Sequence, residues 1–430
     1  MRKFIQNLSK WMQRLPLPAT LFWRVGMVAF YATTSFFAIL TISIYGGLVL
    51  QAAMRRRRNF NFPHRTLEPV EVDGHRLQIF NYGSYAFEDM LDSIVAAEQT
   101  IYLETYILKG DNIGKRFKTA LSAKAEQGVK VYVAFDGFGS LLMPFGFRRF
   151  PKAVNVSVYG PLYSFLSFLR PGTYIRDHRK ILVVDDRIAY LGGINIGREY
   201  ARTWRDTHLR LEGPKAQAVA FAFAEMWNKY NRKRQLDVEM PPAAEDDSEG
   251  LYLRESRPDP LTGRRTIWDA YILAFRQAKD HIYLTNPYFL PDKYTEHELM
   301  AALQRGVRVE MITPDHSNHP VVDLLARPIY ARLNYAGACL WLYQKTVIHS
   351  KTATIDRNWS TLGSANLDGR SLINYEINLF VIDREFANQM EAMFDNDKSN
   401  CRLAAPDEFD HPGFFRLGLE GLLSPFRSSL

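Results

Sequence analysis

Two segments of this 430-residue chain carry the same reactive side chains at the same spacing. The first, HRKILVVDDRIAYLGGIN, contains His178, Lys180, Asp185, Gly192, Gly193 and Asn195. The second, HSKTATIDRNWSTLGSAN, contains His349, Lys351, Asp356, Gly363, Ser364 and Asn366. Counted from each histidine, Lys follows at +2, Asp at +7, Gly at +14, Gly or Ser at +15 and Asn at +17. A lone histidine is ordinarily a satisfied core residue, but identical offsets in two copies make accident a weak explanation. In an extended strand residues i and i+2 share a face, so each His and its Lys address one pocket while Arg179 and Ser350 face away. Asp185 and Asp356 stand with the catalytic set by motif membership, yet they fall where the strand turns back, a turn-forming and structural position. The return strands end in Gly192-Gly193 and Gly363-Ser364, where a small or absent side chain lets a ligand come close to the backbone. Asn195 and Asn366 can donate amide protons into the same pocket.

Two such sets read as two halves of one phosphate site. Lys180, Lys351, Asn195 and Asn366 can hold phosphoryl oxygens and stabilise the charge of a trigonal-bipyramidal state. Of the two imidazoles, one attacks phosphorus and the other protonates the leaving oxygen. A nucleophilic histidine needs a partner on its other ring nitrogen, and Asp206, 28 residues after His178, and Glu376, 27 after His349, stand at matching distances. Spacing does not assign which carboxylate holds which histidine. The site supplies its own cations, so no metal or other cofactor is expected. Asp315, His316 and His319 form a poor ligand set and read as a polar loop near the entrance. Glu104, replaced by Thr285 in the second copy, either lines the pocket or satisfies local backbone.

The elements that must position these residues are duplicated too. AAEQTIYLETYIL, Ala96 to Leu108, matches QAKDHIYLTNPYFL, Gln277 to Leu290. EQGVKVYVAFD, Glu126 to Asp136, matches QRGVRVEMITPD, Gln304 to Asp315, each a helix end, a glycine stop and a buried strand. Alternating strands and helices predict an α/β fold. The acidic, proline-containing run 235–250 reads as a linker. It separates a first lobe at 68–234 from a second at 251–400, with residues 1–67 as an arm and 401–430 as an amphipathic tail. Asn231 to Arg234, NRKR, reads as a solvated helix end.

The 47% hydrophobic and 23% charged composition excludes wholesale disorder, and two cysteines, Cys339 and Cys401, cannot build a disulfide framework. The net charge of +8 is not spread over the body. Residues 1–67 hold ten Lys/Arg and no Asp or Glu, leaving 44 basic against 46 acidic residues elsewhere. A nearly neutral body argues against nucleic acid as a partner. Val25 to Met54 is free of charge and long enough for a membrane-spanning helix. It ends in four arginines, Arg55 to Arg58, which oppose translocation, so an anchor is favoured over a cleaved signal peptide or a buried helix. Each flank carries five Lys/Arg, and the tight Arg55 to Arg58 cluster tips the expected orientation in the cell inner membrane toward a cytoplasmic body. Leu141 to Phe147 (LLMPFGF), Tyr163 to Leu169 (YSFLSFL) and Phe414 to Phe426 look attracted to lipid or pack on the body.

The paired His-x-Lys-x4-Asp motifs, each followed by Gly-[Gly/Ser]-x-Asn, resemble the phospholipase D superfamily. The surrounding text, ETYIL, FDGFGS, NPYFLPD, PDHSNHPVV and GSANLDGRSLINYEINLFVID, is similar to the bacterial cardiolipin synthases. The resemblance covers Leu77 to Asp397. It implies two α/β lobes related by a pseudo-twofold axis with the active site between them; the arm lies outside it and, with the one span read above from hydropathy, departs from members that have two. It also implies condensation of two phospholipids, phosphatidylglycerol among them, without a metal and through a phosphohistidine intermediate. By family habit His178 is the nucleophile and His349 the acid. Hydrolysis of phospholipid or, less in keeping with the charge, nucleic acid is the competing activity, and a lipid-binding scaffold with a dead site is the non-enzymatic one.

Overall fold

The duplication in the sequence is written into the backbone as two sheets with matching strand order. The computed structural model describes residues 61–160, 175–231, 235–238, 250–257, 265–405 and 407–409, with Met27, Tyr31 and Ser35. The first sheet uses β1 (Val70–Val72), β2 (His75–Phe80), β3 (Thr100–Thr105), β4 (Lys130–Asp136), β5 (Asn155–Tyr159), β6 (Lys180–Val184), β7 (Ile188–Gly192) and β8 (His208–Glu212). The second uses β9 (Leu251–Ser256), β10 (His281–Thr285), β11 (Arg308–Pro314), β12 (Cys339–Tyr343), β13 (Thr352–Ile355), β14 (Trp359–Gly363), β15 (Glu376–Ile382) and β16 (Cys401–Leu403). Their orders are β1-β2-β8-β7-β6-β3-β4-β5 and β16-β12-β11-β10-β13-β14-β15-β9. Read from β5 and from β12, seven strands correspond one to one, and only β1 and β16 are additions.

The local devices repeat as well. Helix α1 (Asn112–Glu126) is capped by Asp111, which accepts from the N–H groups of Ile113 and Gly114, and helix α2 (Lys293–Gln304) by Asp292, which accepts from Thr295. Both helices are followed by a left-handed glycine, Gly128 at φ +97° and Gly306 at φ +84°, the conformation a helix stop demands. The strands that then enter the sheet, β4 and β11, are buried over most of their length.

The motif strands β6 and β13 lie in mid-sheet and every residue in them is buried. Each leads into a turn of two positive-φ residues, Asp185-Asp186 and Asp356-Arg357, which matches the twist of a tight hairpin. Asp185 accepts backbone N–H bonds from Glu98, Gln99 and Thr100, all at 2.8 Å. Asp356 accepts from Lys279, Asp280 and His281 at 2.8 to 2.9 Å. Both carboxylates are thus occupied by backbone donors at the turns, the structural position read from the sequence. They clamp each hairpin to the neighbouring strand, roughly 16 Å from the motif lysine at about 3.3 Å per residue. Asp185→Ala is expected to lower stability by about 2 kcal/mol through the three unmet donors. A shifted melting transition with an unchanged rate per folded molecule is the result that checks it.

The two sheets also share a core. Leu191 and Leu209 of the first pack in one cluster with Leu362, Ile377 and Leu379 of the second, and both sheets belong to one compact unit. That joint brings the ends of β6 and β13 together. The stretches Val25 to Met54, apart from three residues, Tyr163 to Leu169 and Phe414 to Phe426 lie outside the described residues, as does most of 235–250. Among the described residues no helix is long and apolar enough to cross a membrane.

Candidate active site

The segment before each motif strand crosses to the other lobe. Asp177 bridges to Tyr375 and Arg205 to Ile348, each as an isolated parallel pair. The N–H of His178 donates to the carbonyl of Tyr375 at 3.0 Å, and that of His349 to the carbonyl of Arg205 at 2.7 Å. Backbone exchange of this kind delivers each histidine to a carboxylate of the opposite lobe. The Nδ1–H of His178 faces Glu376, 3.0 Å from both carboxylate oxygens, and that of His349 faces Asp206 at 2.6 Å. In both rings this leaves Nε2 as the lone-pair nitrogen.

Lys180 and Lys351 are buried, and the ammonium of each donates to the carbonyl of its own histidine. Nζ of Lys351 also lies 2.9 and 3.1 Å from the two ring nitrogens of His349, which places it against the face of the ring. The alternation expected of a strand holds at the intervening positions. Arg179 turns to Glu104 at 2.7 Å, with Asp177 and Glu255 also within ion-pair range, and Ser350 bonds the Thr207 hydroxyl. Glu104 is thus the buried partner of Arg179, not a pocket wall.

Gly193 and Ser364 touch the carboxylates. A Cβ on Gly193 would lie 2.1 Å from Oδ1 of Asp206, so the absent side chain makes room for that carboxylate. At the matching position the Ser364 hydroxyl donates to Glu376 at 2.5 Å. The Asn195 amide oxygen accepts from the N–H of Ile107 at 3.0 Å, whereas that of Asn366 is buried with no protein partner. Asp315 pairs with Arg402 at 2.8 Å, and His319 packs edge-on to Tyr288 with ring centres 5.2 Å apart, so these two serve separate contacts. No group of three or more His, Cys, Asp or Glu side chains that could hold a metal is found among the described residues.

The aromatic walls were not read from the sequence. Tyr106 stands edge-on to His178 at 4.9 Å, and Trp204 and Tyr288 flank His349 at 5.4 and 5.8 Å. Tyr106 and Tyr288 sit just beyond the duplicated strands β3 and β10, so the repeat itself carried the signal. Trp204 has no counterpart and gave none.

Burial and crowded cations set the proton inventory. Burial together with Lys180, Lys351 and Arg370 pushes His178 well down, and burial with Lys351 takes His349 to about 3, so both imidazoles are neutral at rest. Burial lowers Lys180 to about 7 and Lys351 to about 8, and raises Glu376 to about 7. Burial works against charge on Asp206 as well, but His349 and Lys351 outweigh it and hold this carboxyl below its ordinary range. A group with a lowered lysine pKa loses its charge as pH rises. The free-enzyme kcat/KM is therefore expected to fall on the alkaline side as Lys180 and then Lys351 lose their protons through about 7 to 8. It falls on the acid side as Glu376 takes a proton below about 7. A pH–rate profile flat across neutrality would contradict this inventory.

The two-lobed α/β fold with crossed histidine–carboxylate pairs defines a protein of the phospholipase D type. The chain belongs to the cardiolipin synthase, PLD-like domain family, whose pattern it matches over residues 90–227 and 271–398. It is 32% identical over 364 residues to cardiolipin synthase 2 of Staphylococcus epidermidis, covering 81% of this chain and 74% of the relative. It is 31% identical over 361 residues to cardiolipin synthase A of Pseudomonas putida, covering 82% and 75%. In three dimensions it resembles the crystal structure of phosphatidylserine synthase from Haemophilus influenzae with a TM-score of 0.65 at 14% identity, over 87% of this chain and 97% of that one. At that identity the likeness concerns the fold.

Proposed function

We propose that the protein is a membrane phosphatidyltransferase that condenses phosphatidylglycerol with a second phospholipid to form cardiolipin. The observation that carries this reading is the crossed pairing itself: two neutral imidazoles, each oriented by the other lobe's carboxylate, beside two buried lysines, in a chain of the cardiolipin synthase family.

In the first half-reaction Nε2 of His178 attacks phosphorus of the donor phosphatidylglycerol. The phosphorus–oxygen bond to glycerol breaks, and glycerol leaves with a proton from His349. His178 takes the nucleophile's part because it keeps 14% of its side-chain surface accessible against 6% for His349. His349 must carry a proton to serve as acid. Burial and then the charge of Lys351 and Lys180 suppress the imidazolium, and the anionic diester favours it by offsetting the lysine charge. Lys180, Lys351, Asn195 and Asn366 stabilise the phosphoryl oxygens, and Glu376 holds the growing charge on His178. In the second half-reaction a hydroxyl of another phosphatidylglycerol attacks the phosphohistidine, gives its proton to His349 and releases His178. One phosphodiester is exchanged for another, so no nucleotide is consumed and the reaction is reversible.

Transfer prevails over hydrolysis when a lipid hydroxyl arrives before water. Leu141, Leu142 and Phe145 are exposed, Leu142 by 84%, on the loop that follows β4, which suits contact with a lipid surface rich in acceptor. The uncharged stretch Val25 to Met54, read as a membrane helix, supplies the anchor in this account, and the arginines after it leave the body on the cytoplasmic face of the inner membrane. The test is mass identification of products from vesicles of phosphatidylglycerol alone. Cardiolipin with one glycerol per turnover is expected, and removal of residues 1–54 should weaken vesicle binding and, in detergent, shift product toward phosphatidic acid. Phosphatidic acid as the main product of the full chain in vesicles would make it a hydrolase.

A further inference from the structure

Two arginines that act on Tyr106, the aromatic neighbour of His178, are not used by the chemistry above. Arg176 is 3% exposed, and its Nε and Nη1 have no hydrogen-bond partner. Asp136 is near enough for the Arg176 charge to act on it, yet neither Nε nor Nη1 of Arg176 bonds to it. Asp136 accepts from the N–H groups of Phe138, Gly139 and Asp177, and Asp177 accepts from Arg179. Arg370 is half-buried and has no ion-pair partner among the described residues. The neighbouring Asp368 accepts from the N–H of Ser371 at 2.8 Å. A buried guanidinium with unmet donors is costly and marks a position where an anion is missing.

Asn374 ties the two arginines together. Its side-chain oxygen accepts from the N–H of Arg176 at 2.9 Å, and its own N–H donates to the carbonyl of Arg370 at 3.1 Å. Both charges act on the phenol of Tyr106, whose ring is edge-on to His178. On its other side the Arg176 guanidinium lies over Phe138, 4.6 Å from the ring centre, and Phe138 opens the loop that exposes Leu141, Leu142 and Phe145. Charge next to the nucleophile and apolar surface leading away from it match an anionic amphiphile.

Resting on the function proposed above, we infer that Arg176 and Arg370 form a second anion subsite that holds the phosphodiester of the acceptor phospholipid while Lys180 and Lys351 hold the phosphoryl group being transferred. Condensing two anionic lipids brings two phosphates to one cleft, separated by a glycerol bridge. Lys180 and Lys351 face the transferred group, so the acceptor's phosphate needs its own cations. A guanidinium fork suits a diester's two free oxygens.

The experiment is a competition between acceptors. Full-length protein is given phosphatidylglycerol vesicles together with butanol, an acceptor without a phosphate, and cardiolipin and phosphatidylbutanol are measured in the same sample. Arg370→Gln is expected to lower the cardiolipin to phosphatidylbutanol ratio at least tenfold, and Arg370→Lys to restore part of it. Arg176→Lys, which keeps the buried charge and loses the fork, is expected to lower the ratio in the same direction, read on protein with a wild-type melting transition. An unchanged ratio, or a parallel fall of both products, would overturn the subsite, since the arginines would then act on neither phosphate or on the transferred one. Wild-type protein that makes phosphatidylbutanol but no cardiolipin would overturn the underlying function before any variant is compared.

Discussion

Replacing His178 with alanine is expected to reduce phosphatidyl transfer by roughly four orders of magnitude or more, because the variant has no atom with which to form the covalent bond to phosphorus. His349→Ala is expected to fall by a similar factor for a different reason: the leaving glycerol oxygen then departs without a proton. The double variant should be little worse than either single one, since the two groups act in one sequence of steps. His178 keeps 14% of its side-chain surface accessible and His349 only 6%, against Trp204 and Tyr288, so each rate is read on protein whose melting transition is compared with that of the parent. The check is initial rate in phosphatidylglycerol vesicles alongside thermal unfolding. Activity within tenfold of the parent in either variant would end the two-histidine mechanism.

Gly193→Ala is expected to have the next largest effect, although glycine carries no functional group. The added methyl would lie 2.1 Å from Oδ1 of Asp206, and the backbone there is held by the Gly193 N–H donating to the carbonyl of Thr207 at 2.9 Å. The carboxylate must therefore move away from Nδ1 of His349. Loss of an orienting carboxylate elsewhere costs on the order of 10^4 in turnover, and a displaced one should cost about 10^2 to 10^4 here. The matching position in the second lobe behaves differently. Ser364→Ala removes one hydrogen bond to Glu376 and leaves the carboxylate in place, so a loss of about tenfold is expected, in line with roughly 1 to 1.5 kcal/mol for such a bond. Equal effects at the two positions, or a mild effect at Gly193, would show that the carboxylates do not act through their histidines.

These two sites also show where the sequence could and could not be read. His178 with Lys180 and His349 with Lys351 were legible because side-chain direction in a strand depends only on parity, and parity is visible in the spacing. The hairpin turns at Asp185 and Asp356 were legible for a similar reason, since turn chemistry is local. The carboxylates Asp206 and Glu376 were found by matching distance, but the crossing of each to the other lobe's histidine was not. It depends on the pairing of 177 with 375 and of 205 with 348, contacts between distant segments that no local pattern records. Gly193 was read as room for a ligand, and the room is occupied by Asp206. Glu104 was read as a pocket residue or a local acceptor, and its partner Arg179 became evident only once β3 and β6 lay side by side. The two unpartnered arginines were invisible for the same reason: a missing partner is a property of three-dimensional surroundings.

The central claim, two successive in-line displacements through a histidine of one lobe with proton transfer by the other, is tested most directly by the stereochemical course at phosphorus. Phosphatidylglycerol made chiral at its phosphorus by isotopic oxygen is converted in vesicles, and the configuration of the transferred phosphorus in the cardiolipin is determined. Each displacement inverts, so two give net retention, which is the predicted result. Net inversion would mean that the acceptor hydroxyl attacks the donor directly, with no phosphohistidine between them.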